Sequence, residues 1–127
     1  MIYEGQGIYV YPNGDRYDGD FKAGLRNGKG TDYYADGDKY EGDFKDEIYE
    51  GRGIYVFPNG DRYEGDFKAG LRHGKGTFYY ADGGKYEGDF KDGQPNGKGT
   101  DYYAVGDRYE GDFKEGIYEG RGMYVFP

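Results

Sequence analysis

The sequence contains no cysteine, no serine and no tryptophan, and its one histidine is His73. Without thiols the chain has no disulfide staple and no thiolate for nucleophilic or metal chemistry, which fits a reducing compartment. Lacking both Ser and Cys nucleophiles, it cannot assemble either type of catalytic triad. His73 stands in a loop position occupied in other copies by Asn27, Glu50 and Asn96, so it has no partners with which to hold a metal. No catalytic residue, metal or cofactor is expected. Aliphatic residues are scarce: Leu, Ile, Val and Phe together make 19 of 127 residues, against 33% charged residues and a net charge of −8. By that balance alone the chain would be disordered. No apolar run approaches the roughly 20 residues of a spanning helix, and Met1-Ile2-Tyr3-Glu4-Gly5 lacks the charged and apolar regions of a signal peptide. An acidic chain without a basic face is not expected to bind nucleic acid.

What is abundant points the other way, to an ordered chain. The 18 Tyr and 8 Phe supply apolar area from rings, and the 27 Gly recur in phase rather than spreading like a flexible linker. The block Tyr-Asp/Glu-Gly-Asp-Phe begins at Tyr17, Tyr40, Tyr63, Tyr86 and Tyr109, always 23 residues on. Gly-x-Gly begins at Gly5, Gly28, Gly51, Gly74, Gly97 and Gly120 with the same period. The chain reads as one array over residues 1–127, with a half unit over 1–16 and repeats starting at those five tyrosines, the last ending at Pro127.

Each period holds two strand patterns. Strand A, such as Arg16 to Lys22, alternates with Tyr17, Gly19 and Phe21 on one face and Asp18 and Asp20 on the other. Strand B, such as Gly28 to Tyr34, alternates likewise, and period 2 with this much glycine excludes helices. From B to A the chain passes Pro12-Asn13-Gly14-Asp15 and its equivalents, which predict type I′ turns with φ > 0 at both central residues. Ala104-Val105-Gly106-Asp107 then implies a different turn or local strain at Val105. From A to B a longer loop, Ala23 to Asn27, is expected, closed by a left-handed residue at Gly24, Gly70, Gly93 and Gly116. Glu47 replaces that glycine once, at a cost of about 1 kcal/mol if the conformation is kept.

A hairpin this short cannot bury its own face, so copies must stack. The expected fold is all-β: an elongated single-layer antiparallel meander of stacked 23-residue hairpins with about 11 strands, open-ended, a rod or curved ribbon about 50 Å long. Rings from Tyr17 to Phe113, including Tyr34, Tyr80 and Tyr103, should form stripes on one face over the glycines, so that Gly19→Ala would clash. The opposite face, with acids on A beside bases on B, should be solvated. Residues 2–47 and 48–93 differ at seven positions, so 46 residues is a super-period, which recent duplication or consensus design would each produce. The chain starts and stops in the phase of strand B, as a trimmed array would.

The run Tyr63-Glu64-Gly65-Asp66-Phe67-Lys68-Ala69-Gly70-Leu71-Arg72-His73-Gly74-Lys75-Gly76-Thr77-Phe78-Tyr79-Tyr80-Ala81-Asp82-Gly83 closely resembles the consensus of the MORN (membrane occupation and recognition nexus) repeat, and the resemblance covers the whole chain. Phe stands where the family often has Trp, and Glu47, Gln94 to Asn96 and Val105 depart from the local pattern. The resemblance implies a hairpin array that builds cytoskeletal or membrane-associated assemblies, docks protein partners or accompanies an enzyme domain, with no catalytic residues of its own. A cytoplasmic location, cytoskeletal or at a membrane, follows from it.

The leading expectation is a structural scaffold that seats a partner's helix or extended segment on the aromatic face, at Tyr40, Phe44, Phe57, Tyr63, Phe67, Tyr80 and Tyr86. The alternative is a peripheral module binding anionic lipid or phosphoinositide through bases near the A-B loops: Lys22, Arg26, Lys29, Lys68, Arg72 and Lys75. A third, overlapping expectation is a closed homodimer through the terminal edge strands, Ile2 to Tyr11 and Ile117 to Phe126.

Overall fold

The computed structural model describes residues 4–127, which form 11 strands in a single open antiparallel sheet. In chain order these are β1 (Gly5–Val10), β2 (Arg16–Lys22), β3 (Leu25–Tyr33), β4 (Lys39–Lys45), β5 (Ile48–Val56) and β6 (Arg62–Lys68). Then follow β7 (Leu71–Tyr79), β8 (Lys85–Lys91), β9 (Gln94–Tyr102), β10 (Arg108–Lys114) and β11 (Ile117–Val125). Every strand pairs only with its neighbours in sequence, so the sheet is a meander, as expected. Ile2 and Tyr3 of the expected first strand lie outside the described residues.

One glycine from each strand occupies a single row across the sheet, from Gly7↔Gly19 and Gly19↔Gly30 through to Gly111↔Gly122. The tyrosine two residues before each even-strand glycine lays its ring over that row. A Cβ on Gly53 would come within 2.5 Å of the Tyr40 ring, and one on Gly19 would collide with the Gly30 backbone. Four of these five tyrosines also meet two phenylalanines edge-on: Tyr17 lies 5.1 Å from Phe21 and 5.1 Å from Phe44 of the next repeat. Tyr40, Tyr63 and Tyr86 repeat the arrangement with Phe67, Phe90 and Phe113. The core is therefore a zigzag of rings running the length of the sheet, and these tyrosines and phenylalanines are its buried residues. Bare backbone lets a one-layer sheet bury large side chains against itself.

The strand-B boundaries and both turn types depart from expectation. The A-B connection is a two-residue turn, with Lys22 paired to Leu25, and φ is 52° at Ala23 and 80° at Gly24. This is where the type I′ geometry lies. The residues expected to make a longer loop are instead absorbed into β3 as a bulge: Asp20 has no partner there, while Gly19 faces Gly30 and Phe21 faces Arg26. The tyrosine hydroxyl of each repeat donates to the carbonyl at the bulged position, as from Tyr17 to Asp20 at 2.7 Å and from Tyr63 to Asp66 at 2.7 Å. That bond explains why the ring here is Tyr while its neighbour is Phe.

The B-A connection is a three-residue loop with a type I turn and a left-handed glycine. The Gly14 N–H donates to the Tyr11 carbonyl, the Tyr11 N–H donates to the Asp15 carbonyl, and φ is positive at Gly14 (97°) but not at Asn13. Val105 occupies the Asn13 position and keeps negative φ, and its loop makes the same two bonds, from the Gly106 N–H to the Tyr103 carbonyl and from the Tyr103 N–H to the Asp107 carbonyl, so no strain arises there. Glu47 does adopt the left-handed conformation of the glycine it replaces, at φ 77°.

Candidate functional site

Above the packed rings, strand B carries a second, more exposed layer on the same face. One row holds Arg26, Tyr49, Arg72, Pro95 and Tyr118, opposite the five core phenylalanines. The rings of this row stack flat on the core tyrosines: Tyr49 on Tyr40 at 3.7 Å and Tyr118 on Tyr109 at 3.9 Å. The arginines cover Tyr17 and Tyr63 instead. The next row holds Asp32, Tyr55, Phe78, Asp101 and Tyr124, and beyond it stand Tyr34, Phe57, Tyr80 and Tyr103 at the turn. Phe57 contacts both Tyr55, at 4.8 Å, and Phe78, at 5.8 Å.

Of the seven expected contact residues, Tyr40, Phe44, Tyr63, Phe67 and Tyr86 are buried and form the floor, with only Phe57 and Tyr80 in the accessible layer. Alternation told the faces apart but not the layers. Tyr49, Tyr55 and Phe78, which were not among the expected contact residues, line the accessible surface with Arg72, expected only as a lipid-facing base, because the bulge in strand B lifts residue positions 26, 49 and 72 over the core. Only Phe78 carried a sequence signal, as a difference between the halves at the position of Asp32; Tyr49, Tyr55 and Arg72 are the same residues as Tyr3, Tyr9 and Arg26.

The two halves differ most in charge here. Arg26 donates from Nη1 to Asp32 at 2.6 Å and from Nε to Glu47 at 2.9 Å. Asp32 is almost wholly buried, and burial pushes its carboxyl upward against the opposing pull of Arg26. Burial also works against the Arg26 charge, but Asp32 and Glu47 help carry its pKa above the ordinary value. Arg72 has no such partners, and burial lowers it. Tyr49, Tyr55, Phe57, Phe67, Leu71 and Arg72 enclose an apolar hollow of about 190 Å³ on this face.

The opposite face carries a ladder of acids and bases. The carboxylates of Asp20, Asp43, Asp66, Asp89 and Asp112 accept the backbone N–H groups of Lys29, Arg52, Lys75, Lys98 and Arg121 across the bulges. Lys29, Arg52, Lys75 and Lys98 reach on to Asp43, Asp66, Asp89 and Asp112 of the following repeat. Burial acts against Asp43, but the Lys29 ammonium and the Arg52 N–H hold it below the usual carboxylate range. A larger hollow of about 650 Å³ lies on this face, but it is open, and its bases Arg52, Lys75 and Lys98 are already paired. The six bases expected to gather for lipid are split: Lys22, Lys29, Lys68 and Lys75 belong to this face, Arg26 and Arg72 to the aromatic one.

Among the described residues no group of three or more His, Cys, Asp or Glu side chains could hold a metal ion, and no helix is long and apolar enough to cross a membrane. Comparison with curated proteins gave no match. The MORN repeat matches residues 2–16, 17–39, 40–62, 63–85, 86–108 and 109–127. With six consecutive copies covering nearly every residue of a sheet built from 23-residue hairpins, the chain belongs to the MORN repeat family.

Proposed function

We propose that the protein is a non-catalytic scaffold which seats a segment of a partner protein on the outer aromatic layer of its sheet. The repeat is generally non-catalytic and is linked to membrane or protein interaction, and the reading adds which face is used. One observation carries it: rings that the fold does not need for its core, Phe57 and Tyr80 among them, stay accessible beside an apolar hollow on a rigid base. Rigid aromatic anchors in such a hollow give most binding energy per residue at protein interfaces. A cytoplasmic setting, within a cytoskeletal or membrane-associated assembly, accords with this role. The membrane alternative has less support, because its bases divide between two faces and Arg26, Lys29 and Lys75 already hold carboxylates.

The test is selection of displayed peptides against the intact chain, followed by affinity measurement on a Phe57→Ala/Tyr80→Ala variant. Each truncated anchor should cost about 2 kcal/mol, roughly 30-fold in Kd. Peptides that bind the variant as tightly as the parent protein would rule out this face. Co-flotation of the chain with phosphoinositide vesicles at physiological salt, in the absence of any peptide binding, would favour the membrane reading.

A further inference from the structure

The 46-residue super-period puts an arginine at the same place on the aromatic face in each half and surrounds it differently. At Arg26 the chain supplies its own counter-charges. Besides the bonds to Asp32 and Glu47 through Nη1 and Nε, the Arg26 backbone N–H donates to Glu47 Oε1 at 2.7 Å and Nη2 donates to the Glu47 carbonyl at 3.1 Å. In the second half both carboxylates are gone: Phe78 stands in place of Asp32, and Gly93 in place of Glu47. Arg72 keeps its position over the rings of Phe78 and Tyr63, at 5.2 and 5.8 Å, and donates from Nε and Nη2 to the Gly93 carbonyl alone. It takes part in no ion pair among the described residues. A half-buried guanidinium without a counter-charge has lost hydration and gained little in return. Beside it lies the apolar hollow bounded by Tyr49, Tyr55, Phe57, Phe67 and Leu71.

We propose that Arg72 and this hollow form a carboxylate subsite: they seat an Asp or Glu side chain of a partner's extended segment, with an adjacent aliphatic or aromatic side chain filling the space between the rings. The proposal rests on the docking reading above and names the chemistry of what docks. Glu47 shows the geometry, since at Arg26 a carboxylate from the neighbouring turn already occupies the corresponding place. A guanidinium fork matches a carboxylate through paired N–H bonds. A phosphate, with up to two charges, would call for further bases, but Lys68 and Lys75 lie on the opposite face. The neighbouring arginine on this face, Arg26, is taken by its own acids.

The decisive variant is Gly93→Glu, which restores the internal carboxylate at a position where Glu47 already adopts the same left-handed turn. Peptides selected on the intact chain should carry an acidic residue next to an apolar one. Their affinity should fall about tenfold or more on Gly93→Glu, and by a like amount when the peptide's Glu becomes Gln. The Gln peptide should then be indifferent to Gly93→Glu, as a double-mutant cycle requires. Arg72→Gln provides the same comparison if the turn is disturbed, with circular dichroism reporting the fold of both variants.

Selected peptides that lack an acid, or that bind Gly93→Glu and Arg72→Gln like the parent protein, would overturn the subsite. If those peptides still need Phe57 and Tyr80, the docking face stands and only the subsite falls; if they need neither, both fall. Self-association of the parent chain in light scattering that Gly93→Glu abolishes would make the occupant a second copy and defeat the proposal. So would vesicle binding that depends on Arg72 without any peptide effect.

Discussion

At the scale of single residues, the glycine row and the tyrosines above it are one device, and each half of it can be tested. Gly53→Ala drives a methyl group into the Tyr40 ring and should destabilise the fold by about 3 kcal/mol in urea unfolding, near the upper end for overpacking. Gly116→Ala meets no atom within 4 Å and should cost only about 1 kcal/mol, for its left-handed φ. The tyrosine half answers to pH. Burial, chiefly, pushes the Tyr17 hydroxyl up to about 12, and burial with the nearby Asp43, Asp66 and Asp89 carboxylates also raises Tyr40, Tyr63 and Tyr86. A phenol with a raised folded-state pKa adds stability that is complete below the unfolded value near 10 and is lost as pH climbs through the folded value. In an alkaline titration followed by ultraviolet absorbance and circular dichroism, Tyr17, Tyr40, Tyr63 and Tyr86 should ionise only with cooperative loss of the sheet; ionisation of all 18 tyrosines in a single early step would contradict the packing. Tyr63→Ala is a poor probe of binding for the same reason, since removing a buried ring costs about 3–5 kcal/mol of stability first. The strict spacing of Tyr, Gly and Phe made this floor legible in sequence. Which rings stay accessible was not, because a period of two separates faces and carries no information on depth.

At the scale of elements, strand count, direction and the left-handed glycines were legible, and the turns were exchanged. Pro-Asn-Gly fits a type I turn followed by a left-handed glycine as well as it fits a type I′ turn, and Pro12 at the first corner favours the former. Ala-Gly hides its type I′ geometry because alanine is not a residue expected at positive φ, and Ala23 and Ala69 both adopt 52°. The conformation is imposed by stacking. The Ala69 N–H donates to Glu50 and the Gly70 N–H to the Tyr49 carbonyl of the preceding repeat. Ala69→Asn keeps both bonds and lowers the cost of positive φ, so it should raise stability by about 0.5–1 kcal/mol. Ala69→Pro removes a donor and forbids the angle, and should cost about 3 kcal/mol or more. Thermal unfolding of the pair decides the point: equal midpoints would mean the turn is not the type I′ hairpin described. Pro95 is tolerated inside β9 because this position's N–H faces the next turn rather than the ladder, as the Arg26 N–H does toward Glu47.

At the scale of the molecule, a linear array of like units lets a site be relocated by copying side chains, because each repeat contacts only its neighbours. The second half differs from the first around its arginine by Phe78 for Asp32, Gly93 for Glu47 and Phe57 for Tyr11, a ring in either case, and the lining of the hollow has further counterparts in Tyr9, Phe21 and Leu25. Asp32→Phe/Glu47→Gly should therefore uncover Arg26 as Arg72 is uncovered. Both acids must go, because either one left in place would still hold Arg26, and the glycine relieves about 1 kcal/mol of left-handed strain at position 47. Calorimetry with an acidic peptide selected on the parent chain should then show one equivalent more than the parent, at comparable affinity, and Gly93→Glu in the same background should return it to the parental number. An unchanged stoichiometry in a correctly folded variant would mean that the subsite depends on residues outside the two exchanged positions and their shared lining. Identity between the halves, the plainest feature of the sequence, would then be the wrong guide to where the chain binds.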